Sequence, residues 1–281
     1  MHADAVLTWV EPAAGVRLWS ERIDGPPGAD PVLLLADADM SALGWPASLL
    51  GALARRGPVV RFDHRDTGRS TRWAEEPAYG VADLAADALA VLDAFDMPRA
   101  RLLGFGLGGV LAQLLLLDAA ERVVSATLLG CPPLPGATAA ELPAPDEAVR
   151  RFLAEIDDPR DDEGELAWRV ALRRLLHGPD MAFDPGAARA AEERVIAHAG
   201  TSEPAAVHRR LDHAPARGAE LTGVRTPVIV LEGPRDPVHP PPHASVLAGL
   251  LRADLVGVPG LGHAVPDALA PLLAAAAHRN G

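Results

Sequence analysis

Short apolar runs alternate with amphipathic segments along most of the chain. Residues 6–10 and 16–20 alternate apolar and polar side chains around the turn formers Pro12 and Gly15, which is typical of an antiparallel hairpin. The later runs are continuously apolar, as in strands buried on both faces. They predict strands at residues 31–35, 58–63, 101–105, 126–130, 227–231 and 253–258. Helical apolar spacing predicts helices at residues 45–56, 81–95, 107–120, 244–251 and 267–279.

Strands that alternate with helices predict a mostly parallel sheet with right-handed crossovers and helices on both faces. The alternation stops at Cys131 and resumes near residue 227. The intervening segment is proline-rich, acidic and helical, with residues 165–176 as its most clearly amphipathic part. We therefore predict an α/β core formed by residues 1–131 and 222–281, with a helical cap inserted at residues 132–221.

Composition and charge narrow the class of protein. Of the 281 residues, 49% are hydrophobic and 23% are charged, which is typical of an ordered globular chain. A formal charge of -12 argues against nucleic acid and anionic membranes as partners. The single cysteine excludes an internal disulfide, and the first residues contain neither a basic region nor an unbroken apolar region of a signal peptide. We expect a cytoplasmic monomer or homodimer.

A glycine-rich segment, LLGFGLGG at residues 102–109, joins a predicted strand directly to a predicted helix. Gly104, Gly106 and Gly109 match the G-x-G-x-x-G pattern that binds dinucleotide pyrophosphate. That pattern belongs to the first strand-helix-strand unit and needs an acid at the end of the next strand, where this chain has Cys131. The other interpretation is a nucleophile elbow, G-x-S-x-G, in which Gly104 and Gly108 are the small flanking residues. We favour the elbow and expect no cofactor.

Two further residues follow in the order that such an elbow requires. Asp236 comes after the predicted strand at 227–231, and His263 comes after the last predicted strand. The carboxyl ends of parallel strands meet at one edge of the sheet, where open α/β sheets place their sites. The sequence therefore predicts that Asp236 and His263 lie together beside residue 106.

Together with the run FDHRDTGRS at residues 62–70 and SALGWP at 41–46, these motifs resemble those of the α/β-hydrolase superfamily. Within it, the chain is most similar to enzymes of the aclacinomycin methylesterase type, which act on anthracycline polyketides. The resemblance covers nearly the whole chain. It implies a sheet core with a helical cap, a hydrophobic aromatic polyketide as substrate, and catalytic roles for Asp236 and His263.

Two departures from that family bear directly on the chemistry. Gly106 stands where the family has its nucleophilic serine, and a glycine has no side chain to acylate. Ala36-Asp37-Ala38-Asp39 stands where the family has glycine-rich or His-Gly residues that stabilise the oxyanion. Loss of a triad serine costs on the order of 10⁶ in rate, and a carboxylate beside the oxyanion position opposes developing negative charge. Both departures therefore disfavour hydrolysis through an acyl-enzyme.

The retained pair, His263 and Asp236, still suits proton transfer near neutral pH. Our first hypothesis is a cofactor-independent polyketide tailoring enzyme in which His263 is a general base oriented by Asp236. Gly106 leaves room for substrate and the Leu107 amide stabilises an enolate or phenolate. Such an enzyme can form or break a carbon-carbon bond, direct a cyclisation or remove a carboxyl group. The rivals are an esterase that uses dyad-activated water or Cys131, and a non-catalytic ligand-binding protein.

Other residues are assigned more loosely. Asp37 and Asp39 are candidate second acid/base groups, and Ala38 and Trp45 are candidate oxyanion or substrate contacts. Trp45 has core packing as its ordinary alternative, as Cys131 has a buried hydrophobic role. His239 and His243 are separated by prolines and cannot share a helical face, so we expect no metal site.

Overall fold

The computed structural model describes residues 5–73, 77–203, 206–211 and 214–279. Within these residues one eight-stranded sheet runs in the order β1-β2-β4-β3-β5-β6-β7-β8. Only β1 and β2 are antiparallel to their neighbours, and the other strands are parallel. The strands are β1 (Ala5–Ala13), β2 (Val16–Ile23), β3 (Val32–Leu35), β4 (Val59–Phe62), β5 (Ala100–Phe105), β6 (Val123–Leu129), β7 (Val228–Glu232) and β8 (Asp254–Gly257). The predicted α/β fold with a mostly parallel sheet is confirmed.

Helices cover both faces of the sheet and bury two apolar layers. The helices are α1 (Ala47–Ala54), α2 (Val81–Ala94), α3 (Leu107–Asp118), α4 (Glu147–Ala154), α5 (Asp162–His177), α6 (Pro185–Ala199), α7 (His243–Leu251) and α8 (Ala270–Arg279). One layer includes α2, α3 and α7, and the other includes α1 and α8. Strands β3 and β4 are buried at every position because they lie in the middle of the sheet with helices on both sides.

Helix boundaries differ from the sequence prediction where proline intervenes. The predicted helix at 45–56 starts only at Ala47, because Pro46 holds the preceding Trp45 in an extended conformation. The predicted helix at 267–279 is also interrupted: residues 267–269 form a short 3₁₀ turn after Pro266, and α8 starts at Ala270. These are local shifts at element ends and leave the order of elements unchanged.

Helices α4, α5 and α6 lie between β6 and β7 in the chain and add no strand to the sheet. Helix α5 reaches the carboxyl edge of the sheet, where the Leu176 carbonyl accepts a hydrogen bond from the His263 amide at 2.6 Å. Helix α6 contacts the core through His198, whose Nε2 donates to Asp63 at 2.7 Å. The segment between β6 and β7 is therefore tied to the loop after β8, which carries His263, and to the loop after β4. No helix among the described residues has the length and apolarity that crossing a membrane would require.

Candidate active site

A sharp turn at Gly106 connects β5 to α3. Gly106 has φ 53° and ψ -118°, a left-handed conformation that favours glycine, and its amide donates to the Leu129 carbonyl at 3.0 Å. The flanking glycines are required by close packing, since a Cβ on Gly104 would lie 2.5 Å from the Gly108 carbonyl oxygen. A Cβ on Gly108 would overlap the Leu35 carbonyl of β3. The segment thus has the strand-turn-helix geometry of a nucleophile elbow, with Gly106 at its apex.

The space above this turn is filled by the carboxylate of Asp37, which follows β3. Its Oδ1 accepts hydrogen bonds from the amide of Ala38 at 2.7 Å and from the amide of Leu107 at 2.8 Å. A Cβ placed on Gly106 would overlap both Oδ1 and Cγ of Asp37. Gly106 therefore does not leave the open space that the sequence analysis expects. The carboxylate of Asp37 occupies that space. It also accepts the hydrogen bonds of the two amides that could otherwise bind an oxyanion.

His263 lies between two carboxylates. Its Nδ1 is 2.9 Å from Asp236 Oδ2, and its Nε2 is 3.0 Å from Asp37 Oδ2. Asp236 is itself held by the amides of Val238 and His239, each 2.8 Å from Oδ1. The loops after β3, β7 and β8 thus bring Asp37, Asp236 and His263 into one hydrogen-bonded row beside Gly106.

The charges in this row stabilise one another. Burial alone would lower the pKa of His263, but Asp236 and Asp37 outweigh burial and raise it to about 10, so the imidazole is a cation at neutral pH. Burial alone would raise the pKa of Asp37, but the hydrogen bond and charge of His263 and two backbone amides hold it below its ordinary value. The pKa of Asp236 is lowered in the same way. The row therefore carries two negative charges and one positive charge.

Exposure separates the three members. The side chains of His263 and Asp236 are 3% and 2% exposed, whereas that of Asp37 is 23% exposed. Of the three side chains, that of Asp37 is therefore the most open to solvent.

The other predicted residues lie elsewhere. Asp39 points towards the inserted segment, where its carboxylate accepts hydrogen bonds from Arg209 Nε at 2.8 Å and the His208 amide at 3.2 Å. Trp45 is 3% exposed and packs edge-on against Phe105 in the α1 and α8 layer, which leaves it buried in the core. Neither side chain is hydrogen-bonded to His263, whose ring nitrogens bond to Asp236 and Asp37.

Cys131 is buried under the elbow. Its thiol is 4.0 Å from Gln113 Nε2, and a Cβ on Gly109 would lie 2.5 Å from the sulfur. Burial and the nearby carboxylates of Asp236 and Asp37 raise the pKa of the thiol well above its usual range. A protonated, enclosed thiol is a poor nucleophile.

Three further histidines lie around this row and its loops, and the sequence pattern assigns no role in the site to two of them, His64 and His239. The buried His64 has its Nε2 3.2 Å from the Ala36 carbonyl, which immediately precedes Asp37. His208 accepts the Asp39 amide at 2.9 Å, so the loop carrying Asp37 is held at both ends. The ring of His239 lies 5.6 Å from that of His263. The position of His239 three residues after Asp236 was a signal available in the sequence. Among the described residues no cluster of three or more potential metal ligands occurs.

The amino-acid sequence is similar to those of two methylesterases. The chain is 39% identical over 285 residues to rhodomycin D methylesterase DnrP of Streptomyces peucetius, covering 93% of each chain. It is 41% identical over 284 residues to rhodomycin D methylesterase DauP of Streptomyces sp. strain C5, again covering 93% of each.

Solved structures of hydrolases share the fold. The esterase RhEst1 from Rhodococcus superposes with a TM-score of 0.79 at 21% identity, with 98% of this chain and 99% of that chain covered. The enol-lactonase from Burkholderia xenovorans superposes with a TM-score of 0.70 at 22% identity, with coverage of 91% and 92%. A family model described as "Alpha/beta hydrolase family" matches residues 32–276. The chain therefore belongs to the α/β hydrolase family, with close similarity to the rhodomycin D methylesterases.

Proposed function

We propose that this protein is a cofactor-independent tailoring enzyme for aromatic polyketides that acts by proton transfer and forms no acyl-enzyme. The observation that carries the proposal is the carboxylate of Asp37, which occupies both the space of a serine side chain at Gly106 and the amides of Ala38 and Leu107. The similarity to rhodomycin D methylesterases supports the substrate class. Carbon-carbon bond formation, cyclisation and decarboxylation are reactions that such proton transfer serves.

Asp37 is the base in this proposal. A protonated His263 cannot accept a further proton, so the role of general base expected from the sequence passes to the carboxylate that solvent reaches. When Asp37 takes a proton from substrate, it becomes a weaker acceptor for the amides of Ala38 and Leu107. Those amides then become available to the enolate or phenolate oxygen just formed, and the positive charge of His263 stabilises that oxygen at short range. Asp236 keeps His263 charged and oriented.

Ester hydrolysis is the second candidate, because the named relatives at 39% and 41% identity are methylesterases. In that reaction Asp37 activates a water molecule directly, and the ester is cleaved without a covalent intermediate. The enclosed, protonated Cys131 fits a nucleophile poorly.

One probe separates the two reactions. Methyl anthraquinonylacetate carries both an acidic CH₂ group and a methyl ester. In deuterium oxide, mass spectrometry records proton transfer as deuterium in the intact ester and hydrolysis as loss of methanol. We expect enzyme-dependent deuterium uptake that falls at least about 100-fold in Asp37→Asn, in line with the usual contribution of a general base. Asp118→Asn is the matched control, because Asp118 pairs with Arg217 at the protein surface and the variant should retain full activity.

Each outcome has a distinct meaning. Methanol release that depends on Asp37 would support the hydrolytic candidate. Deuterium uptake and methanol release that are both equal in the parent and Asp37→Asn would refute both candidates. Binding of the probe with no turnover at all would favour a non-catalytic ligand-binding protein.

A further inference from the structure

His239 is the one described histidine whose ring makes no hydrogen bond. The other seven, at positions 64, 177, 198, 208, 243, 263 and 278, each have a ring nitrogen bonded to another residue in the described part of the chain. The side chain of His239 is nevertheless half-buried and belongs to the site loop after β7. A half-buried imidazole with two uncommitted nitrogens leaves polar atoms available to a ligand.

The ring is held in place from several sides. The backbone amide of His239 donates to Asp236, which fixes the turn that carries the ring. The ring packs at 5.6 Å from His263 and at 5.3 Å from His243, at steep angles to both. His243 is buried and anchored through its Nε2, 2.9 Å from the Pro143 carbonyl. His239 is therefore prepositioned beside the imidazolium, with its orientation set by contacts that do not involve its nitrogens.

Burial and the positive charge of His263 lower the pKa of His239 to about 4, so its ring is neutral at neutral pH. A neutral imidazole offers one hydrogen-bond donor and one acceptor. The nearby Asp37 offers only acceptors. A hydroxyl group, which both donates and accepts, is complementary to a neutral imidazole.

We propose that His239 binds a hydroxyl group of the substrate, next to the position where Asp37 acts, and so selects hydroxylated aromatic rings. This inference rests on the proposed function for the aromatic character of the substrate. It adds the chemical group that the site recognises and the residue that recognises it. In this role His239 touches substrate and orients it for Asp37.

The test is an equilibrium titration with two probes of nearly equal size, β-hydroxyanthraquinone and β-methylanthraquinone, followed by quenching of protein fluorescence. For His239→Phe we expect affinity for the hydroxyl probe to fall about 10-fold and affinity for the methyl probe to change less than about twofold, the usual scale of one hydrogen bond. His239→Gln, which keeps a donor and an acceptor, should recover most of the loss. His278→Phe is the matched control, since its ring bonds only within α8.

An equal loss for both probes in His239→Phe would overturn the proposal and assign His239 to packing alone, as would unchanged binding of both. Failure of either probe to bind the parent protein would overturn it as well. Measuring both binding and turnover in Asp37→Asn separates this inference from the proposed function. Selective binding that depends on His239 together with turnover that does not depend on Asp37 would leave the hydroxyl contact standing and remove the proton-transfer role.

Discussion

Introducing a serine at position 106 should not produce a reactive serine in this protein unless Asp37 is also removed. In Gly106→Ser the new Cβ overlaps the Asp37 carboxylate, which must swing away from the amides of Leu107 and Ala38 and from His263. Three charge-assisted hydrogen bonds contribute about 1.5 kcal/mol each, and a serine at positive φ costs about 1–3 kcal/mol. The single variant should therefore lose about 5.5–7.5 kcal/mol in free energy of unfolding, seen as a melting temperature roughly 10 °C lower.

The double variant Asp37→Gly plus Gly106→Ser removes the overlap but also removes the hydrogen bonds of Asp37, so it should be about as unstable as the single variant and differ from it in reactivity. It also frees the two amides and leaves His263 with one carboxylate partner, so the pKa of His263 falls and the imidazole becomes a base. We expect stoichiometric labelling by a serine-directed fluorophosphonate and a burst of product from p-nitrophenyl acetate. Asp37→Gly alone is the matched control and should remain unlabelled.

Two results would refute this reasoning. If Gly106→Ser alone were as stable as the parent and reacted with the probe, Asp37 would not occupy the serine space in solution. If the double variant folded but stayed unlabelled, the row formed by His263 and Asp236 would lack the orientation that serine activation requires.

Three other variants test separate contacts. The raised pKa of His263 gives stability that is fully present below about pH 6.5 and lost as pH rises towards 10. The free energy of unfolding, measured with a chemical denaturant, should therefore decline across that window, and it should decline less in Asp37→Asn. Equal declines in the two proteins would contradict the pairing of His263 with Asp37. Gly68→Ala should lower the melting temperature by at least about 5 °C, because its Cβ overlaps the buried Asp63 carboxylate at a positive φ, and an unchanged melting curve would contradict that packing. Cys131→Ala should retain at least about half of the parent's activity on the deuterium-exchange probe, because the thiol is buried and protonated. Loss of activity would indicate that the thiol takes part in the reaction.

Much of the fold was accessible from the sequence because each step was local. Continuous apolar runs marked the buried parallel strands, and glycine spacing marked the elbow at Gly106. Asp236 and His263 were found because each follows a strand in the order that the fold imposes. Their hydrogen bond at 2.9 Å joins residues 27 positions apart, yet it needed only the sheet edge to bring them together.

The position of the Asp37 side chain was not accessible in the same way. The sequence marked Asp37 and Gly106 as two separate departures, but their overlap depends on a side-chain rotation between loops about 70 residues apart. Whether Asp37 or Asp39 turns inward is decided by His208 and Arg209, which take Asp39 towards the inserted segment. The pKa of His263 depends in turn on that choice, because Asp37 and Asp236 together raise it to about 10, whereas the sequence alone predicted a neutral base.

The overlap between residues 37 and 106 also limits the order in which this site can arise from a serine hydrolase. An aspartate introduced while serine was still present would collide with it, so that route passes through a strained and misassembled protein. Loss of the serine first yields an inactive but unstrained intermediate, which the aspartate can then fill. Descent from a serine-bearing ancestor therefore runs through a stage that has neither the serine nor the aspartate, and return to a serine nucleophile must retrace the same two steps in reverse.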